Sequence, residues 1–188
     1  VQEIEGALPG WTILTAENID SRRREVSLER FLKYFDGALP DWDLILVGGI
    51  AVRTIVTDIF SNIAAGLGGI STGVLLLGGG GEGKTTAIMQ VAVKLILEKG
   101  AKVVWHYDSN TPLSISIADR LIRGEGPWVI MTDDADLITG NLGRFCREIR
   151  ARGRNDISIV LACRDTDWLA TEGKAAQAES GIEWREYL

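Results

Sequence analysis

Gly78 to Thr85 reads GGGGEGKT and places one ammonium group, one carboxylate and a hydroxyl in a stretch of unusual backbone freedom. The spacing G-x-x-x-x-G-K-[ST] has a chemical reason. Phosphate oxygens must be met by several backbone N–H groups at once, and side chains with a Cβ would obstruct both the close approach and the positive φ angles. Gly78, Gly79, Gly80, Gly81, Glu82 and Gly83 are therefore expected to wrap a polyphosphate. Lys84 would neutralise the outer phosphates, and the Thr85 hydroxyl would be a ligand for Mg²⁺. Thr86 would sit deeper, toward the inner phosphates. A helix starting here would add the partial positive charge of its N-terminus. Glu82 is an anion beside the phosphates. Its side chain is expected to face solvent, because an inward carboxylate would weaken binding by repulsion.

A phosphate loop needs a metal partner. Trp128 to Asp136 reads WVIMTDDAD, an apolar strand that ends in acid. Asp133 is assigned to the metal and Asp134 to polarising the attacking water. A later strand ends in ACRDTDW, which puts Arg164 at the same sheet edge as a sensor of the outer phosphate. The plainer reading of Arg164 is an ion pair with Asp165 or Asp167, and adjacent acids such as the 133–134 pair also occur in surface turns.

The elements needed to position these groups are legible as alternating apolar runs and amphipathic stretches. Strands are expected at Gly73–Leu77, Lys102–Tyr107, Trp128–Thr132 and Ile157–Cys163. Helices are expected at Thr85–Glu98, Leu113–Ile122, from an Asn141 cap to about Arg152, and at Asp167–Ala178. Continuous apolar strands alternating with helices indicate a parallel sheet covered on both faces. Upstream, residues 1–26 read as irregular, Ser27 caps a short helix LERFLKYFD, and a further helix is expected over Ile50–Ala65. The chain divides into a lead-in at 1–40 and a core at 41–188.

The formal net charge of −6 argues against bulk attraction to nucleic acid or acidic membranes. No apolar run reaches the ~18 residues of a membrane span. The N-terminus lacks a signal-peptide pattern, so a cytoplasmic location is expected. Cys146 and Cys163 sit in apolar patterns as buried thiols, and His106 has no metal-ligand spacing around it.

Together, the phosphate loop, the acidic pair ending WVIMTDD and the arginine ending VLACR resemble P-loop NTPases of the additional-strand kind. Within these they are most similar to the STAND class, signal-transduction ATPases related to AAA+ proteins. The resemblance spans roughly residues 42–170. It implies an α/β three-layer sandwich with a mainly parallel five-stranded sheet in the order 5-1-4-3-2, and a C-terminal lid beyond the core. It also implies that Ile50, Ala51, Val52 and Arg53, in WDLILVGGIAVRTIVTDIF, lie near adenine. The implied ligands are ATP/ADP and Mg²⁺, and the implied role is a slow nucleotide switch in a larger signalling or defence protein, with self-association or partner protein domains. No N-K-x-D follows the fourth strand, so ATP is preferred to GTP. Two rivals stay open: an AAA+-like motor or loader on nucleic acid, and a non-hydrolysing, nucleotide-stabilised interaction module.

Arg144, Arg147, Arg150, Arg152 and Arg154 cluster in NLGRFCREIRARGRND. They are read as a solvated face with Glu148 and Asp156 as partners, an arginine inserted into a neighbouring subunit's site, or a nucleic-acid contact.

Overall fold

A computed structural model describes residues 8–188. Five parallel strands and one antiparallel strand form a single sheet: β1 (Trp11–Leu14), β2 (Thr72–Leu77), β3 (Lys102–His106), β4 (Trp128–Thr132), β5 (Ile157–Cys163) and β6 (Glu183–Tyr187), in the order β1-β3-β4-β5-β2-β6. Read from β6, the parallel strands follow the expected 5-1-4-3-2 order. Among the described residues the strand count is six, because β1 adds antiparallel to the outer edge of β3.

The strand side chains alternate between two cores, the period-2 consequence of the pleat. Val74, Leu76, Val103, Met131 and Val160 face one side. There α3 (Trp42–Val47), α4 (Thr54–Gly66) and α5 (Lys84–Lys99) cover the sheet. Leu75, Leu77, Val104, Ile130 and Leu161 face the other. It is covered by α6 (Ile115–Arg123), α7 (Thr139–Ala151), α8 (Asp165–Ala170) and α9 (Gly173–Ser180). Two further helices, α1 (Ala16–Asp20) and α2 (Leu28–Phe35), lie in the lead-in.

Several boundaries differ from the sequence expectation. Of the stretch read as irregular, residues 1–7 lie outside the described residues, but 11–20 form β1 and α1. Trp11 is buried against β3, and Thr15 caps α1 with a reciprocal bond to Asn18. The helix expected from Ile50 starts at Thr54. Gly48 and Gly49 have φ of +79° and +103°, which ends α3 and leaves residues 50–53 outside any helix, with Ile50 and Ala51 tied to Gln90 of α5. Asn141 does not cap α7, which begins two residues earlier. The helix expected over 167–178 is two helices broken at Glu172, whose φ is +56°. Gly173 follows because a Cβ there would stand 2.2 Å from the buried Trp168 ring.

Among the described residues, no helix is long and apolar enough to cross a membrane.

Candidate functional site

Sheet register brings the three predicted centres to one edge. Leu77 pairs with Cys163, and Thr132 pairs with Leu161. Gly78 and Arg164 therefore leave neighbouring strands at the same height, while Asp133 falls opposite Ala162, about 7 Å lower along the sheet. With strands about 4.8 Å apart, the lateral spread from β2 to β4 is about 10 Å. The chain runs from β2 through α5 to β3, the far parallel strand, and returns through β4 and β5. That order opens the crevice at the C-terminal strand ends where α/β folds take ligands.

The loop itself is built from glycine conformations that an L side chain resists. Gly81 and Gly83 both have φ of +79°, and Gly83 is the left-handed residue from which α5 starts. Lys84 Nζ donates to the carbonyl oxygens of Gly78 (2.9 Å) and Gly79 (2.6 Å), so the ammonium spans the loop. Thr85 follows in the first turn, half-buried. At the other end of α5, Gly100 is left-handed and closes the helix, as its place in the sequence suggested.

Glu82 is exposed, as expected, but its side chain does not extend freely: Oε2 accepts the Gly79 N–H at 2.9 Å, folding it back along the loop. A Cβ on Gly78 would meet the same oxygen at 2.4 Å, so any side chain there would push the Glu82 carboxylate aside.

Thr86 is buried, and its hydroxyl lies 3.0 Å from the Tyr34 hydroxyl of α2. Arg53 is brought to the loop, where Nη1 donates to the Glu82 carbonyl at 2.6 Å, while Val52 is exposed. Gln90 Nε2 reaches the Ile50 carbonyl at 3.3 Å and ties this segment to α5. Tyr34 and Gln90 were not identified from the sequence, because nothing local marks a contact whose two partners lie 52 and 40 positions apart.

Asp133 is half-buried at the end of β4. Asp134 is the more exposed of the pair, yet partial burial first, and then the charges of Asp133 and Asp136, hold its carboxyl above the ordinary carboxylate range. Asp136 accepts a hydrogen bond from the buried Cys163 thiol at 3.4 Å, linking the acidic turn to the end of β5. Burial pushes that thiol up to about 12, so it is a structural donor and not a nucleophile. Arg164 makes no ion pair with Asp165 or Asp167 among the described residues. Its Nη2 stands 3.4 Å from the position a Gly80 Cβ would take.

The arginine helix is tied internally. Arg154 donates to Asp156 and to the carbonyls of Leu121, Ile122 and Gly124 at the end of α6. Arg150 reaches the Gly181 carbonyl at 2.9 Å, Arg147 meets Glu179, and Arg152 pairs with Glu148 and Asp119. Lysine or alanine at 154 would uncap α6, so a loss of function there could not be read as loss of an arginine acting in trans.

A parallel sheet with a glycine loop, a loop-spanning lysine and strand-end acids defines a P-loop nucleotide-binding domain. The chain belongs to the family described as Novel STAND NTPase 5, whose profile matches residues 32–176. No match was found among curated protein sequences. Solved structures share the fold. The Saccharomyces cerevisiae Hsp104–ADP complex is 17% identical with a TM-score of 0.52, over 76% of this chain and 28% of that one. The Aeropyrum pernix ORC1 protein in complex with DNA is 17% identical with a TM-score of 0.55, over 80% and 48%. This chain thus spans less than half the length of either.

Proposed function

We propose that this domain binds ATP with Mg²⁺, hydrolyses it slowly and acts as the nucleotide switch of a larger signalling or defence protein. The observation that carries the reading is two cations from different elements meeting one loop: Lys84, at the start of α5, across Gly78 and Gly79, and Arg164, just past β5, beside Gly80. Lys84 is fixed to the loop it serves. Arg164 belongs to the end of β5, so an outer phosphate held between them joins β5 to the loop, and its loss releases that contact. The two arrangements differ in affinity for ATP and ADP, which is what a switch requires.

The donors present suit the metal. Mg²⁺ keeps several waters and takes one or two protein oxygens, so the Thr85 hydroxyl and the Asp133 carboxylate would hold it without a larger acidic cluster. When bound, it supplies charge neutralisation at the outer phosphates. Asp134 orients the attacking water and takes its proton, a task that suits a carboxyl of raised pKa. Backbone N–H groups of the loop and the N-terminus of α5 hold the remaining phosphate charge.

Phosphate release, together with mass photometry of the full-length parent protein in ADP, ATP and a non-hydrolysable analogue, tests the reading. A change of assembly seen only with the triphosphates supports it. Identical behaviour in all three nucleotides overturns it.

Glu82 yields a separate prediction. Glu82→Gln keeps an acceptor for the Gly79 N–H and removes a negative charge beside the phosphates. At about 8 Å and an effective dielectric of about 40, that charge costs on the order of 1 kcal/mol. Nucleotide Kd by calorimetry is expected to tighten about fivefold.

A further inference from the structure

We propose that His106 and Thr132 are positioning residues for the acidic turn: a single imidazole tautomer sets the Thr132 hydroxyl, which in turn holds the main chain of Asp134. The proposal rests on the reading of Asp134 as the residue that acts on water.

His106 ends β3 and is 2% exposed, and Thr132 ends β4 and is fully buried. His106 Nε2 lies 2.8 Å from the Thr111 carbonyl oxygen. A carbonyl only accepts, so Nε2 must carry the proton. Nδ1 of the neutral ring is then a lone pair, and the Thr132 hydroxyl 3.1 Å away must donate to it. With its proton so committed, Thr132 Oγ1 has lone pairs left for the Asp134 N–H, which reaches it at 3.1 Å. Every donor in this line has one direction, and a buried network with all members satisfied is rigid.

The far end is anchored as well. Thr111 N–H donates to the Asp108 carbonyl at 2.9 Å, and the Thr111 hydroxyl donates to the Asp108 carboxylate at 3.1 Å. The ring stacks on Trp11 of β1, with centroids 4.3 Å apart and planes 23° from parallel. The antiparallel edge strand thereby contributes to the site from outside the parallel sheet. Val at 132 would fill nearly the same space without the hydroxyl, and Ser would keep the hydroxyl without the methyl, so the pair isolates the hydroxyl.

Long-range ¹H–¹⁵N spectra of the intact chain should show His106 protonated on Nε2 and not on Nδ1; the opposite tautomer overturns the proposal. Thr132→Val should speed Asp134 amide exchange about tenfold, the equivalent of one lost hydrogen bond. It should also lower kcat about tenfold while nucleotide Kd stays within about twofold. Thr132→Ser should restore both. Unchanged amide exchange in Thr132→Val overturns the proposal. Absence of turnover in the wild-type chain would count against the ATPase reading instead, since tautomer and exchange are read without it.

Discussion

Lys84→Ala is expected to abolish nucleotide binding in calorimetric titrations at concentrations that saturate the wild-type chain. The ammonium is the one full positive charge that the loop itself supplies, and it is already oriented by the Gly78 and Gly79 carbonyls. Its charge-assisted bonds to phosphate contribute about 3 kcal/mol, more than a hundredfold in Kd. Nothing nearby can replace it: Arg53 is directed at the Glu82 carbonyl, and Arg164 reaches Gly80 from another strand. The substitution removes no buried apolar contact of the core, so the variant should fold, with a circular-dichroism melt close to wild type. Retained affinity in a folded Lys84→Ala protein would remove the basis of the nucleotide assignment.

The second large effect is expected at Asp134. Asp134→Asn should leave nucleotide affinity near wild type and lower phosphate release by about 10²- to 10³-fold, the scale of a lost general base. Its stability should move the other way. The folded chain raises the carboxyl's pKa through burial and through Asp133 and Asp136. A raised folded pKa means that the group favours folding fully only below its unfolded value, near 4, and that this contribution is lost as pH rises through the folded value. At neutral pH the ionised carboxylate therefore opposes folding, and the amide relieves it. Thermal melts should place Asp134→Asn at or above wild type at pH 7, with the difference shrinking toward pH 4. A variant that loses both turnover and stability at pH 7 would mark Asp134 as a structural residue.

How far the chain could be read from its residues depended on the range of the interaction. The four inner strands are short apolar runs buried on both faces, and such runs carry their own signal. The edges were less legible. β1 is four residues, WTIL, and is held by its pairing with β3. β6, EWREY, is mostly exposed and mixes three charged residues with two aromatic ones, a sequence that becomes a strand because β2 lies beside it. Gly73 shows the same dependence. A Cβ there would stand 2.4 Å from the Trp184 ring, so its absence makes room for a strand 110 residues later. The break between α8 and α9 likewise answers to Trp168, which only the folded sheet buries.

The candidate site divides along the same line. Gly78–Thr85, Asp133, Asp134 and Arg164 could be singled out from sequence, because phosphate chemistry demands those residue types next to strand ends. Their convergence follows from strand order and register, which no local pattern contains. The fate of individual side chains is more remote still. The Glu82 carboxylate turns to an amide three residues back, Arg154 is spent on the carbonyls ending α6, and His106 supports an acid 28 positions further on. The sequence by itself determined the chemistry available, since backbone freedom, charge and apolar periodicity are properties of neighbouring residues. Tertiary structure alone decided which donor faces which acceptor, because those distances are set by strands that are adjacent in space and far apart along the chain.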